Sequence, residues 1–208
     1  IKKIFLIFDY ICGRIKNHNN IKFKRDNEVK FLKEIFEWII VVVASIAIYL
    51  VLSTYVIAPF TVKGHSMDYT FADNDKVFVN KLSKNYERGD EVVFHANETD
   101  DYIKRVIGVP GDTIEYKDDV LYVNGEKVDE PYLTQKIKEA RESGTAPFTP
   151  DFNIEYLSST KSKTVPEGMY FVMGDNRQHS TDSRVFGFVK KEAMIGKVSL
   201  RYYPFSSF

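Results

Sequence analysis

The feature that most constrains this fold is a run of 19 residues without a charged side chain, from Ile39 to Ile57. As a helix the run would be about 28 Å long, close to the thickness of the hydrocarbon core of a bilayer. Trp38 and Tyr55 stand near its ends, where membrane helices commonly carry aromatic residues. A buried core helix would show a polar face, and a signal peptide has a shorter apolar core. The run therefore predicts a membrane anchor over residues 38–58.

Charge on the N-terminal side of the anchor sets its expected orientation. Residues 1–37 carry nine lysines and arginines. Because such flanks stay on the cytoplasmic side, we expect a cytoplasmic tail over residues 1–37 and an extracytoplasmic domain over residues 59–208.

Beyond the anchor the sequence predicts a mainly β fold, a compact domain with an antiparallel sheet. Short segments rich in Val, Ile, Phe and Tyr alternate with turns that contain Gly, Asp and Asn. The predicted strands cover residues 76–82, 91–96, 101–109, 112–117, 120–128, 169–174 and 196–204. Val123-Asn124-Gly125-Glu126 predicts a tight hairpin. Residues 129–164 are predicted to be a small helical and loop insertion, with a helix over 133–144 that ends at Gly144.

Composition excludes several classes of protein. The 29 basic residues balance the 29 acidic residues, so the chain lacks the positive net charge that would indicate a nucleic-acid partner. Cys12 is the single cysteine, which excludes an intramolecular disulfide and any metal site built on two cysteines.

Three polar clusters could carry chemistry: GHSMDYT at 64–70, DYIKRVIGVPGD at 101–112, and MGDNRQHSTDSRVFG at 173–187. Ser66 in the first cluster is a candidate nucleophile, but a serine hydroxyl needs a base. The residues of the third cluster also fit a polar loop that supports a site without reacting in it, with Asp182 paired to Arg184 or Arg177.

Histidine is one possible base. His18 is expected on the cytoplasmic side, and His65 directly precedes the serine, so in an extended chain it points to the opposite face. His95 or His179, oriented by Asp182, stays an alternative.

Lys104 is the other possible base, because it lies in an apolar strand beside Tyr102 and Ile103. Burial would lower its pKa from about 10.4 towards the neutral range that a general base needs. The alternative is a solvated lysine paired with Asp101 or Asp112.

The three clusters, in this order behind an anchor, resemble the bacterial type I signal peptidases, and the Gram-positive forms in particular, over about residues 39–203. The resemblance implies a serine endopeptidase that removes signal peptides from secretory preproteins. It implies these roles: Ser66 as nucleophile, Lys104 as general base, Ser180 as the residue that orients the lysine, Asp182 and Arg184 as a supporting ion pair, and Asp175 and Arg177 as structural residues.

The resemblance also implies how substrate is held. The Ser66 N–H would form the oxyanion hole, and Gly64 stands where some relatives add a hydroxyl donor. Small substrate side chains would lie in pockets formed by Phe60, Val62, Met67, Tyr102 and Ile103. No metal or cofactor is expected. The expected partners are preproteins and the lipid bilayer, without nucleic acid, and the chain is expected to be a monomer.

One residue departs from the family pattern, which usually reads Ser-Met-x-Pro-Thr. Tyr69 stands in place of the proline, which would fix φ near −65°. Losing that restraint costs about 1 kcal/mol of local order.

An active enzyme is favoured because Ser66 and Lys104 are both present. The alternatives are a specialised, pilus-related or catalytically impaired homologue, a binding module, and a repressor-type Ser-Lys autoprotease, which would carry a DNA-binding module instead of the anchor.

Overall fold

The structure is a computed structural model that describes residues 30–145 and 147–205. It divides into two units, Ile1–Val51 and Leu52–Phe208. Cys12, His18 and most of the predicted tail lie outside the described residues.

Helix α1 runs from Lys30 to Val56, and its last turn, Leu52–Val56, is π-helical. No glycine or proline interrupts it, and Pro59 follows shortly after its end. Within the described residues, α1 is the one helix that is long and apolar enough to cross a membrane, judged by length and composition.

Within the described residues, the second unit contains eleven strands and two further α-helices. The strands are β1 Ile57–Thr61, β2 Lys76–Asn80, β3 Glu91–His95, β4 Asp101–Gly108, β5 Ile114–Lys117, β6 Val120–Val123, β7 Glu126–Val128, β8 Phe152–Asn153, β9 Met169–Met173, β10 Val189–Lys190 and β11 Met194–Tyr203. The helices are α2 Thr134–Glu142 and α3 Ser183–Phe186.

These strands form two antiparallel sheets, which confirms the predicted fold class. One sheet has the order β1-β2-β11-β3-β4-β9-β10 and the other the order β7-β6-β5-β8. β1, β8 and β10 were not predicted. β1 contains Pro59 and lies at a sheet edge, where proline is tolerated, while β8 and β10 have only two residues each.

The hairpin and the helix of the insertion form where the sequence places them. Asn124 and Gly125 both have positive φ values, 53° and 82°, as a two-residue hairpin with the twist of the sheet requires. Gly144 ends the α2 region with a φ of 72°. The insertion also supplies β8, whose Phe152 ring lies 5.1 Å from the Tyr116 ring.

The seven-stranded sheet carries apolar clusters on both faces. Alternate residues of a strand point to opposite faces. Ile103 accordingly packs with Val62 and Met67 on one face, whereas Tyr102 packs with Phe94 on the other. Lys104, two residues after Tyr102, shares its face of β4.

Candidate active site

Lys104 donates a hydrogen bond of 2.6 Å from Nζ to Ser66 Oγ. Ser66 lies in the turn after β1, and Lys104 lies in the middle of β4. The lysine is 3% exposed. The fold therefore brings a candidate nucleophile and a candidate base into direct contact.

Burial lowers the pKa of Lys104 to about 8, although the negative charges of Asp182 and Asp175 raise it in opposition. An amine with this pKa is partly neutral near physiological pH and can accept a proton. The solvated ion pairs considered as alternatives do not form: Asp101 binds His95 at 2.6 Å and Asp112 binds Arg88 at 2.8 Å.

Within the described residues, the Ser66 hydroxyl is hydrogen-bonded by Lys104 and not by a histidine. His65 Nδ1 lies 3.0 Å from Asp68, and His95 contacts Asp101. Asp182 accepts hydrogen bonds from the Gly174 N–H and from Arg184 rather than from a histidine.

Asn176 holds the turn that carries Ser66. Its backbone N–H donates to the Ser66 carbonyl at 3.0 Å, and its Nδ2 donates to the His65 carbonyl at 2.9 Å. Within residues 30–145 and 147–205 the Ser66 N–H has no acceptor, so it is available to an oxyanion.

Two glycines allow this arrangement. Gly64 has a φ of 80°, its N–H donates to Asp73 Oδ1 at 2.7 Å, and it offers no side-chain donor. A Cβ on Gly174 would collide with the Ser66 carbonyl and with the Ser180 side chain, so only glycine permits the third cluster to approach the nucleophile.

Ser180 lies beside this contact, and its Oγ is buried without a hydrogen-bond partner among the described residues. The structure thus places Ser180 near Gly174 but gives it no hydrogen bond to Lys104.

Asp182 and Arg184 form an ion pair at 2.8 Å, and the Asp182 side chain is fully buried. Asp182 also accepts from the Gly174 N–H at 3.1 Å, and Arg184 Nη2 donates to the Arg177 carbonyl at 2.8 Å. The pair fixes the backbone of the third cluster around Gly174.

Asp175 joins all three clusters. It accepts two hydrogen bonds from Arg105, at 2.9 Å and 2.7 Å, and a third from the Thr70 hydroxyl. Sequence reasoning missed Thr70 and Arg105 as site-supporting residues, although each lies inside a quoted cluster, SMDYT and YIKR.

Arg177 is fully buried and binds Glu130 at 2.6 Å and the Tyr116 hydroxyl at 2.6 Å. Glu130 belongs to the insertion and carries no local sequence signal of this role. The contact ties the insertion to the third cluster.

The cavity at Ser66 has a volume of about 180 Å³. Phe60, Tyr102 and Ile103 line it. Val62 and Met67 do not reach it, because both are buried in the apolar cluster behind Ile103. Four further lining residues were missed: Lys63, His65, Asp101 and Thr181.

Tyr69 adopts a φ of 94°, which a proline cannot reach. Its N–H has no acceptor among the described residues, so hydrogen bonding does not explain the tyrosine. Instead, its ring lies 4.5 Å from Lys136 Nζ on α2 and 6.0 Å from the Phe148 ring. The turn after the nucleophile therefore contacts the insertion and differs from one that proline would favour.

The described residues contain no group of three or more His, Cys, Asp or Glu side chains placed to hold a metal ion.

The sequence profile of the family described as "Signal peptidase, peptidase S26" matches residues 35–203. The chain belongs to this signal peptidase family. A signal peptidase removes signal peptides from preproteins, and this chain is a serine peptidase of that kind.

Individual signal peptidases are similar over most of their length. Signal peptidase IB of Staphylococcus aureus strain COL is 46% identical over 181 residues, which cover 85% of this chain and 93% of the relative. Signal peptidase I of Bacillus caldolyticus is 46% identical over 170 residues, covering 79% and 89%. The crystal structure of a signal peptidase I from Enterococcus faecalis V583 has a TM-score of 0.52 at 45% identity, covering 55% of this chain and 97% of that chain.

Proposed function

We propose that Ser66 is the nucleophile and Lys104 the general base of this signal peptidase. The observation that carries the proposal is the 2.6 Å hydrogen bond between Ser66 Oγ and a buried lysine whose pKa is lowered to about 8. The remaining residues of the three clusters position this pair.

Neutral Lys104 takes the proton of the Ser66 hydroxyl as Oγ attacks the scissile carbonyl carbon. The Ser66 N–H stabilises the oxyanion that forms. Lys104 then gives the proton to the leaving amine, and the acyl-enzyme remains. A water activated by Lys104 attacks the ester, which releases the signal peptide and restores Ser66.

Support for binding an extended peptide comes from the edge of β4. β9 pairs with β4 from Arg105 onward, so Asp101–Ile103 have a strand neighbour only on the β3 side. A peptide strand can add at this free edge, beside the cavity of about 180 Å³. Such a cavity suits small side chains at the first and third positions before the cut.

We also propose the arrangement in the membrane. Residues 38–58 anchor the chain in the lipid bilayer, residues 1–37 lie in the cytoplasm, and residues 59–208 lie outside the cell membrane as a monomeric catalytic domain. The basic charge of residues 1–37 and the uncharged run support this orientation.

Cleavage of a preprotein by the full chain in detergent tests the catalytic assignment. We expect Ser66→Ala and Lys104→Met each to lower kcat by at least about 1,000-fold. Ser158→Ala and Lys127→Met, at exposed positions, are the matched controls and should cleave like the wild type. Cleavage at the wild-type rate by either active-site variant would refute the assignment.

A further inference from the structure

A second cavity, about 390 Å³ in volume, adjoins the cavity at Ser66, and the two share Tyr102 and Thr181. Its walls include Phe94 at the end of β3, Phe186 on α3, and Phe188 and Ala193 nearby. We call it the α3 cavity. We propose that it binds a large apolar side chain of the preprotein, from the segment that follows the cut. This inference rests on the proposed function.

The position of Lys104 gives the direction in which the substrate leaves Ser66. The base returns its proton to the leaving amine, so that nitrogen must come within reach of Lys104 Nζ. Lys104 shares its face of β4 with Tyr102, and Nζ lies 5.2 Å from the centre of the Tyr102 ring. Ile103, which lines the catalytic cavity, points to the opposite face. The leaving nitrogen therefore lies on the face of β4 that carries Tyr102, whose side chain is a wall of the α3 cavity.

The distance identifies which residues of the substrate can reach the cavity. Lys104 Nζ lies 2.6 Å from Ser66 Oγ and 5.2 Å from the Tyr102 ring centre, so the ring centre is within about 8 Å of Oγ. An extended chain advances about 3.3 Å per residue. Roughly the second to fourth residue after the cut is then level with the α3 cavity.

The aromatic part of the lining favours an apolar occupant, although His95, Asn97, Thr181 and Lys190 also line the cavity. The Phe94 ring lies 6.1 Å from the Phe186 ring and 6.3 Å from the Tyr102 ring, which makes one wall aromatic. Phe186 is 40% exposed although it borders a concave surface. The α3 cavity is also about twice as large as the catalytic cavity, so it can hold a leucine or phenylalanine side chain. Covering these rings would remove apolar surface from water.

Binding to the full-length Ser66→Ala variant in detergent micelles tests the proposal without chemistry. The probes are fluorescent peptides that span the cut, with alanine, leucine or aspartate at the second, third or fourth position after it. We expect leucine at one of these positions to bind about five- to tenfold more tightly than alanine, and aspartate more weakly.

Two variants that alter the α3 cavity show whether the preference for leucine comes from this cavity or from the detergent micelle. Ala193→Leu, which fills the cavity, and Phe186→Ala, which removes a wall, are each combined with Ser66→Ala and should abolish the preference for leucine. Val185→Ala is the matched control, because Val185 lies on α3 at 66% exposure and does not line the cavity. It should keep the preference.

Equal binding of leucine and alanine at all three positions would overturn the proposal. So would a preference that survives both Ala193→Leu and Phe186→Ala. If Phe186→Ala instead weakens binding to phosphatidylglycerol vesicles and leaves the peptide preference intact, the surface contacts lipid and the proposal is wrong. Cleavage of the alanine peptide by the wild type but not by Ser66→Ala tests the proposed function separately, so either can fail alone.

Discussion

The Asp182 carboxylate opposes the effect of burial on Lys104: burial lowers the pKa of Lys104 to about 8, although the charge of Asp182 raises it. Lys104 must be neutral to accept the Ser66 proton. In the proposed mechanism the protonation of Lys104 therefore sets the acid limb of the pH profile, and we expect Asp182 to influence the pH at which that limb falls.

The pH profile of cleavage should show the opposite effects of burial and of the Asp182 charge on the pKa of Lys104. We expect kcat/KM of the wild type to rise with pH and to level off above about 8, as Lys104 loses its proton. Asp182→Asn removes the charge that favours protonated Lys104, so the ascending limb should move to lower pH. Asp129→Asn, at a largely exposed side chain, is the control and should leave the limb in place. A limb that stays near pH 10 would contradict Lys104 as the base.

The stability of the chain should also depend on Lys104. Because its folded pKa of about 8 lies below its ordinary value of 10.5, the unfolded chain binds more protons between these pH values, and stability rises with pH across that window. Lys104→Met removes the buried charge, so at pH 7 it should raise the free energy of unfolding by about 3 kcal/mol. The gain should shrink between pH 8 and 10.5.

Thermal unfolding followed by circular dichroism, from pH 6 to pH 11, measures this gain. Lys127→Met, at a side chain that is 63% exposed, should show no such trend. A Lys104→Met gain that stays constant over the whole range would mean that packing rather than charge causes it.

Asn176 should position the nucleophile without taking part in proton transfer. Asn176→Ala removes the hydrogen bond from Nδ2 to the His65 carbonyl but keeps the backbone bond to Ser66. We expect kcat to fall about 10- to 100-fold, because a small displacement of the nucleophile is costly, while KM and the pH profile stay the same. Steady-state kinetics with Asn85→Ala as an exposed control measures this. A shifted pH limb would instead assign Asn176 to the titration of Lys104.

The ion pair between Arg177 and Glu130 should stabilise the contact between the insertion and the third cluster. Arg177→Met leaves the Glu130 carboxylate buried without its partner, so we expect a loss of about 3–5 kcal/mol. Glu130→Gln combined with Arg177→Met should recover part of this loss. A double-mutant cycle by thermal unfolding measures the coupling, and additive losses would show that the two residues act independently.

Tyr69 offers a direct test of the turn geometry. Proline cannot adopt its φ of 94°, so we expect Tyr69→Pro to lower the melting temperature and the cleavage rate. Tyr69→Gly accepts this φ and loses the same ring contacts, so it separates backbone strain from the loss of contact with Lys136 and Phe148. A higher rate for Tyr69→Pro than for the wild type would show that the tyrosine impairs the site.

The sequence by itself determined the features that depend on neighbouring residues. The uncharged run lies within a single helix from Ile39 to Val56, with Ile57 beginning β1, and the alternating segments form strands. Asn124 and Gly125 make the predicted hairpin, because both residues accept positive φ. The three polar clusters also sufficed for the resemblance to signal peptidases. Each of these signals is local, since side-chain periodicity and turn chemistry act over a few residues.

Only the tertiary structure decided which side chains meet and how deeply they are buried. The contact between Lys104 and Ser66 joins positions 38 residues apart, and the pKa of Lys104 follows from burial by several strands. The same packing withdraws Met67 from the cavity at Ser66 and brings Glu130 onto Arg177. These outcomes depend on strand pairing and dense packing between distant segments, which local patterns do not encode.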